Sequence, residues 1–299
     1  MILADKWRDY EILECGDGMK KERWGEFILV RPDPQVIWPL NSSSWGNYDA
    51  FYHRSGQGGG KWKYRTQLPE SWKINYRNSV LKIKPTDFKH TGLFPEQAAN
   101  WDWFSKLINK AKSPPKVLNL FGYTGGATIA AASAGASVCH VDAAKGMVAW
   151  CRENAALSNL SDAPIRYIVD DCMKFVEREI RRGTQYDGII MDPPSYGRGK
   201  KGEVWQFDRD LWKFLQKCRQ LLTPKPLFFL VNAYTTGVSP IVVGNLVRET
   251  LSKLDGTVNS GEIGIPISNS LNALPCGLFA RWQRRLDIGD VVRPQQKLN

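Results

Sequence analysis

The sequence predicts an α/β fold, in which a doubly wound parallel sheet follows a small β-rich N-terminal domain. After residue 115, short apolar strands alternate with helical segments, a pattern typical of a parallel sheet with helices on both faces. Before about residue 90, short β-rich runs are separated by clusters of Gly, Pro, Asn and Ser, which indicate hairpins. We therefore expect a β-rich domain over residues 1–88 and an α/β domain over residues 89–299.

The α/β half can be followed element by element. Four strands are expected in KVLNLF, SVCHVD, IRYIV and YDGIIMD. The helices between them are expected to begin at about Gly126 for the first, and to end at about Ser158 for the second and about Arg182 for the third. Beyond them we expect, in order, a helix around 208–222, a strand in PLFFLVN, a helix around 240–253, and strands near 257–265 and 277–284. Residues 88–101 join the two halves and are too apolar for a free linker.

Composition excludes several classes of protein. Apolar residues make up 42% of the chain and charged residues 24%, values that are close to the globular average. No run of about 18 apolar residues exists, and the acidic N-terminus is unlike a secretory signal. The six Cys form no CxxC pair, which argues against a disulfide framework and a zinc site. We expect a cytoplasmic protein with no metal and no membrane partner, and a homo-oligomer stays open.

The charge of the chain is strongly basic and uneven. A net charge of +11 favours a polyanionic partner, most often nucleic acid, although solubility alone would also explain it. Residues 51–90 hold nine Lys or Arg against two acidic residues, interleaved with Trp62, Tyr64, Trp72 and Tyr76. Phosphates need cations and exposed bases need stacking planes, so this stretch predicts an RNA contact. A solvated hairpin with Trp in its core is an equal alternative.

A glycine turn follows the first strand of the α/β half. Gly122, Gly125 and Gly126 allow close backbone approach to a ligand, and the helix behind them offers free N–H donors. Asp142 ends the second strand, 17 residues after Gly125, where such folds bind a ribose. The turn reads F-G-Y-T-G-G, which lacks the pyrophosphate fingerprint and fits a ligand without phosphates, such as the amino-acid end of S-adenosylmethionine (SAM). The third strand ends in Asp170-Asp171-Cys172, and a carboxylate there can accept a hydrogen bond from an adenine amino group.

The fourth strand ends in Asp192-Pro193-Pro194-Ser195-Tyr196. Two prolines cannot continue a central strand, so the chain leaves the sheet at its carboxyl edge, where doubly wound folds bind ligands. An acidic residue, a proline carbonyl and an aromatic ring suit a planar substrate that carries an N–H group.

The runs VLNLFGYTGG, VDAAKG, DDCMKF and YDGIIMDPPSYGRGK resemble the class I SAM-dependent methyltransferases. Within that class the chain is similar to the large-subunit ribosomal RNA cytosine-5 and guanine-N7 methyltransferases, and HTGLFPEQAANW resembles their segment that folds over the cofactor. The resemblance covers roughly residues 88–299. It implies a Rossmann-like methyltransferase sheet, SAM as cofactor and RNA as substrate.

The resemblance also implies roles for individual residues. The catalytic positions would be Asp192, Pro193, Pro194, Ser195 and Tyr196. The cofactor-binding positions would be Phe94, Pro95, Glu96, Gln97, Asn119, Phe121, Gly122, Tyr123, Thr124, Gly125, Asp142, Ala143, Lys145, Asp171, Cys172 and Asp192.

Two departures from the family pattern bear on the chemistry. Position 119 is Asn where many methyltransferases have an acid, so recognition of the cofactor amino group is indirect or through Glu96. Cytosine-5 chemistry needs a Cys nucleophile, which in this branch follows the fifth strand, and here that strand ends in Asn232. We therefore expect transfer to a nitrogen of an RNA base. Methylation of a small molecule or a protein, and a non-catalytic RNA-binding module, are the alternatives.

Overall fold

The computed structural model describes residues 1–55, 59–87, 89–198, 204–235, 237–268 and 270–285. Its N-terminal part is built from strands. In chain order they are β1 (Ile2–Leu3), β2 (Tyr10–Gly16), β3 (Met19–Trp24), β4 (Phe27–Pro32), β5 (Ala50–Arg54), β6 (Gly60–Tyr64), β7 (Trp72–Tyr76) and β8 (Ser79–Ile83).

Strands and helices then alternate, beginning with a 3₁₀ turn at Pro95–Gln97. The helices are α1 (Ala98–Asn109), α2 (Gly126–Ser133), α3 (Lys145–Leu157), α4 (Cys172–Arg181), α5 (Phe207–Arg219) and α6 (Pro240–Thr250). The strands are β9 (Lys116–Leu120), β10 (Ser137–Asp142), β11 (Ile165–Val169), β12 (Gly188–Met191), β13 (Tyr196–Arg198), β14 (Val204–Gln206), β15 (Phe228–Ala233), β16 (Gly256–Pro266) and β17 (Ala273–Arg284).

The largest sheet has eight strands in the order β1-β16-β17-β15-β12-β9-β10-β11. Strands β9 to β12 and β15 are parallel, whereas β17 runs antiparallel to both of its neighbours. The chain order reverses between β9 and β12, which pair with Leu120 opposite Met191. Such a reversal leaves a crevice at the carboxyl ends of the strands. The residues that follow β9 and β12 therefore lie side by side at that edge.

Helices cover both faces of this sheet, which confirms the predicted α/β class. One face is packed by α1, α2 and part of the N-terminal sheet, and the other by α4, α5 and α6. The central strands are almost wholly buried, as expected for parallel strands covered on both sides.

The N-terminal part forms a five-stranded sheet in the order β2-β3-β4-β5-β6, and a separate β7–β8 hairpin. The hairpin docks on α3, where the Lys82 N–H donates to Asn154 Oδ1 at 2.8 Å and the Val80 N–H donates to Ser158 Oγ at 2.9 Å. Side chains from before and after residue 88 share one hydrophobic cluster, and β1 pairs with β16 of the large sheet. The division of the chain at residue 88 stays a prediction.

One helix was not predicted. Helix α1 begins inside the segment that the sequence suggests as a connection, and it buries Trp101, Phe104 and Ile108. These three residues recur at helical spacing, so the signal was present in the sequence. Among the described residues, no helix combines the length and apolar character needed to cross a bilayer.

Candidate functional site

Two cavities lie at the carboxyl edge of the large sheet. The larger has a volume of about 670 Å³ and the smaller about 60 Å³. Four side chains line both cavities, namely Phe94, Phe121, Tyr123 and Asp192. The two cavities are therefore neighbours at the crevice between β9 and β12.

The turn after β9 is held in an uncommon backbone conformation. Phe121 and Tyr123 have positive φ angles of 55° and 51°, and Gly125 has 88°. Non-glycine residues rarely adopt such angles, and they cluster at ligand sites where the surroundings enforce them. At Gly122 an added Cβ would lie 2.4 Å from the His140 ring, so the turn has no room for a side chain there.

Asp142, at the end of β10, supports this turn. Its Oδ2 accepts the Tyr123 N–H at 2.9 Å and its Oδ1 accepts the Ala144 N–H at 2.8 Å. Burial raises the pKa of the carboxyl and the two N–H donors lower it again, with a net rise. The carboxylate is thus fixed in orientation, and its remaining lone pairs can face the larger cavity that it lines.

Two buried amides in the smaller cavity are oriented by their neighbours. The Asn119 Nδ2 donates to Thr128 Oγ1 at 2.8 Å, and Asn232 Oδ1 accepts from Asn100 Nδ2 at 2.7 Å. Asn119 therefore keeps an acceptor oxygen and Asn232 keeps donor hydrogens, neither engaged by any described residue. One acceptor and one donor suit a zwitterionic amino-acid group.

The Asp171 side chain accepts a hydrogen bond within the fold as well as lining a cavity. It caps the N-terminus of α4, where its Oδ1 accepts the Lys174 N–H at 3.0 Å. It still lines the larger cavity beside Ala143, Cys172 and Met173. One carboxylate oxygen remains for a ligand, next to apolar surfaces that could contact a flat ring.

Asp192 follows β12 directly and lines both cavities. Burial, and to a smaller extent the negative charge of Glu96, raises its pKa to about 7. Among the described residues none donates a hydrogen bond to this carboxylate. The side chain is half-buried and borders the open space of both cavities. The carboxylate is therefore available to a donor from a ligand.

The two prolines after Asp192 differ in their carbonyl groups. The Pro194 carbonyl accepts the indole N–H of Trp205 at 2.6 Å, whereas no described donor reaches the Pro193 carbonyl. Ser195 Oγ and Thr235 Oγ1 lie 2.9 Å apart, which ties the end of β12 to the end of β15. Asp192 and Pro193 thus offer adjacent acceptors on a loop that its neighbours fix.

Glu96 lies outside the cavity walls but is connected to them. The Tyr234 hydroxyl, which lines the larger cavity, donates to Glu96 Oε1 at 2.9 Å and accepts from Gln97 Nε2 at 2.7 Å. Burial raises the pKa of Glu96. Gln97 is held in turn by Asn100, which accepts from the buried guanidinium of Arg281 at 2.7 Å. This network fixes the position of Tyr234.

The cysteines near the site are poor nucleophiles. Burial raises the pKa of both Cys172 and Cys276, and nearby carboxylates add to the effect. Cys172 Sγ accepts the Phe121 N–H at 3.3 Å and is buried. The last strands do fold back, since β17 lies beside β15, but Cys276 Sγ donates to the Leu274 carbonyl at 3.4 Å. Thiols rather than thiolates are expected at both positions.

Most of the predicted site residues converge on the two cavities. Five of them do not line either cavity, namely Pro95, Glu96, Gly125, Lys145 and Tyr196. Lys145 is exposed at the start of α3, and Tyr196 is 50% exposed. Residues that the sequence did not assign to the site also line the walls, namely His90, Trp101, Met173, Lys174, Glu177, Trp205, Asp210, Asn232 and Tyr234. In the described part of the chain, no three His, Cys, Asp or Glu side chains group to hold a metal.

A family model for S-adenosylmethionine-dependent methyltransferases matches residues 36–253 of the chain. The chain belongs to this family. The predictions of a methyltransferase fold, of enzymatic activity and of SAM as cofactor are therefore confirmed. A non-catalytic module is no longer a competing interpretation.

Solved structures agree with this assignment. A SAM-dependent methyltransferase from Agrobacterium tumefaciens is 40% identical, with a TM-score of 0.88 over 93% of this chain and 91% of that chain. A structure described as a methyltransferase in complex with S-adenosylhomocysteine (SAH) is 21% identical, with a TM-score of 0.73 over 93% of this chain and 76% of that chain, and shows the shared fold.

Curated relatives share a narrower name. The ribosomal RNA large subunit methyltransferase K/L of Shewanella sp. (strain MR-4) is 34% identical over 147 residues, 48% of this chain and 20% of that protein. The protein of the same name from Pseudoalteromonas atlantica is 33% identical over 169 residues, 55% of this chain and 23% of that protein. The predicted resemblance to this branch is confirmed, and the methyltransferase spans about a fifth of these relatives' length.

Proposed function

We propose that this methyltransferase modifies a nitrogen atom of a base in ribosomal or other structured RNA. The observation that carries the proposal is the pair of adjacent acceptors, the Asp192 carboxylate and the Pro193 carbonyl, which no described donor reaches. Such a pair can hold the hydrogens of an amino or ring N–H group while its nitrogen faces the cofactor.

The residues around the two cavities fit SAM. The oriented amides of Asn119 and Asn232 would hold the ammonium and carboxylate groups of its amino-acid end. Asp142 would accept the ribose hydroxyls, and Asp171 the adenine amino group. When bound, SAM supplies an electrophilic methyl group.

Asp192 would act on the substrate rather than on the cofactor. Its carboxylate orients the N–H so that the nitrogen lone pair faces the methyl group, and it can take the proton that the nitrogen loses. Because its pKa is about 7, the carboxylate exchanges a proton near neutral pH. Transfer to nitrogen needs no thiolate, in agreement with the raised pKa values of Cys172 and Cys276.

Two observations support RNA as the substrate class. Curated relatives are named as large-subunit ribosomal RNA methyltransferases, and the chain carries a net charge of +11. A polyanion is the expected partner of such a charge. The cytoplasmic location and the homo-oligomer stay predictions.

Transfer of a labelled methyl group to RNA tests the proposal. The enzyme would be incubated with labelled SAM and large-subunit ribosomal RNA from cells that lack its gene, and the nucleosides separated by mass spectrometry. We expect a methylated base with the label on nitrogen, and no covalent complex with RNA that carries 5-fluorocytosine.

Label on cytosine carbon 5, with an adduct at Cys172 or Cys276, would contradict the nitrogen assignment. Absence of label from the RNA would contradict the RNA assignment. The Asp192→Asn variant is the control, since it should bind SAH as the wild type does but transfer little label.

A further inference from the structure

The outer face of the β5–β6 hairpin combines rings and cations. Cross-strand pairing places Phe51 opposite Lys63 and His53 opposite Lys61, so these four side chains share one face. The Phe51 and His53 rings lie 4.6 Å apart between centroids, at an interplanar angle of 30°. His53, Lys61 and Lys63 are exposed. We call these four side chains the hairpin face.

The hairpin face continues into the flanking segments. The Tyr48 ring lies 5.6 Å from Phe51, and the Arg65 guanidinium stacks over Tyr48 at 3.7 Å. Asp49, the acidic residue beside them, accepts the Ile28 N–H and the Thr66 hydroxyl, both at 2.7 Å. Residues 50–66 include four Lys or Arg and no acidic residue. Four cations therefore stand against the single Asp49 carboxylate, and the local charge is positive.

The opposite face of the hairpin anchors it near the site. The Trp62 indole N–H donates to the Thr86 carbonyl at 2.8 Å, and the Tyr52 hydroxyl donates to the Asp87 carbonyl at 3.3 Å. The chain then continues to His90, which lines the larger cavity. The inner-face side chains thus bind the main chain before the site, whereas the outer face carries the half-buried Phe51 ring and the exposed His53 ring.

Other cations of residues 51–90 behave differently. On the β7–β8 hairpin, Lys82 pairs with Glu153 and Lys84 pairs with Glu70, both at 2.7 Å. No acidic side chain among the described residues pairs with Lys61 or Lys63. Two lysine pairs of equal charge, close in sequence, therefore differ in whether their charge is already compensated.

We propose that the hairpin face binds a single-stranded segment of RNA, with Lys61 and Lys63 against phosphates and the Phe51 and His53 rings against bases. This inference rests on the proposed RNA substrate and adds where that RNA is held. Cations that track a backbone beside stacking rings are the general requirement for binding a single strand.

A single strand fits better than a duplex. Rings on a sheet face can stack only on bases that are not already stacked within a helix. The target base must also leave any stack before it can reach Asp192, which lies in a cavity. An unpaired segment next to the target base meets both conditions.

The test uses the full chain and two double variants of equal charge change. Lys61→Gln/Lys63→Gln removes the cations of the hairpin face, and Lys82→Gln/Lys84→Gln is the matched control on the β7–β8 hairpin. The affinity for a fluorescent 12-nucleotide single-stranded RNA would be measured over a series of salt concentrations, with the same sequence as a duplex and heparin as comparisons. Binding of SAH is measured in parallel.

We expect the hairpin-face variant to lower the salt slope of single-strand binding by about 1.4, since each lost phosphate contact removes about 0.7. The control should change the slope by far less, and neither should change SAH binding. Phe51→Leu, which keeps an apolar side chain but removes the ring, should weaken single-strand binding at least about 5-fold, with an unchanged slope.

Different failures have different meanings. If wild type binds and methylates RNA but both double variants behave alike, the hairpin face is not the docking surface and the proposed function stands. If duplex and heparin bind as tightly and Phe51→Leu has no effect, the face is only a general polyanion surface, and the proposal is wrong. If wild type neither binds nor methylates RNA, the proposed function itself fails.

Discussion

Asp142 and Asp192 end two parallel strands of the same sheet, yet their surroundings differ. Two backbone N–H groups, at 2.9 and 2.8 Å, bind the Asp142 carboxylate. No described donor reaches the Asp192 carboxylate, and the nearby charge of Glu96 adds to burial in raising its pKa to about 7. A carboxylate held by the backbone has a fixed geometry, whereas one that lacks donors has unused acceptor capacity.

This contrast separates binding from chemistry. Asp142 shapes the turn that would surround the cofactor, so its loss should weaken cofactor affinity. The Asp192 side chain forms no hydrogen bond with any described residue, so its removal should affect the substrate step alone. The predictions below test this division.

Asp192→Ala should cause the largest effect. Loss of the group that orients the acceptor nitrogen should lower turnover about 100-fold or more, because positioning contributes strongly to such reactions. Single-turnover methyl transfer, together with calorimetry of SAH binding, measures the two steps separately. A parallel loss of SAH affinity would contradict the division of roles. The exposed Asp255→Ala is the control and should change neither value.

Asp142→Ala should lower cofactor affinity by roughly 10- to 100-fold. A hydrogen bond to a charged group contributes about 1.5–3 kcal/mol, and the variant would also release the Tyr123 N–H that the carboxylate holds. Calorimetry with SAH measures the change, and circular dichroism checks that the fold survives. An unchanged dissociation constant would reject the ribose assignment.

Much of this site could be predicted from sequence because it lies at strand ends. The strands that lead to Phe121, Asp142 and Asp192 are short, apolar and bounded by glycine or proline, and the parallel sheet brings their carboxyl ends together. The local sequence pattern and the sheet topology agree there, so a residue predicted at the end of a strand is also predicted at the carboxyl edge of the sheet.

Other parts of the site depend on contacts distant in sequence. Trp205 reaches Pro194 from a short hairpin arm, and Tyr234 joins Glu96 across 138 positions. The hydrophobic periodicity of a sequence does not predict such pairs. Composition likewise could not show which lysines of residues 51–90 are paired with an acidic side chain. Only the fold pairs Lys82 with Glu153 and places Lys61 on a face where no described acidic side chain pairs with it.

Glu96→Gln should shift the pH dependence of turnover. The ionised form of Asp192 accepts the substrate N–H, so turnover should rise as pH increases through about 7 and then level off. Removal of the Glu96 charge lowers the pKa of Asp192, while burial still keeps it raised, so the midpoint should move to lower pH. Pre-steady-state rates from pH 5 to 9 measure the midpoint. A midpoint that stays in place, or moves to higher pH, would contradict the claim that the Glu96 charge raises the pKa of Asp192. Glu153→Gln is the control and should leave the midpoint unchanged.

Trp205→Phe should have the smallest effect. The indole N–H holds the Pro194 carbonyl at 2.6 Å, and the ring also packs 5.6 Å from Phe121 and 5.5 Å from Phe214. Phenylalanine keeps an aromatic ring in place but loses the hydrogen bond, which contributes about 1 kcal/mol, or roughly 5-fold in rate if it fixes the loop.

The same substitution elsewhere gives the control for Trp205→Phe. The Trp103 indole N–H donates to Gln283 Oε1 at 3.0 Å, and Trp103 does not line either cavity. Trp103→Phe therefore removes an equivalent bond without touching the loop after Asp192. Turnover should fall for Trp205→Phe only, with similar SAH binding in both variants. Equal turnover in the two variants would mean that the loop after Asp192, with its Pro193 carbonyl, stays in place without the Trp205 bond.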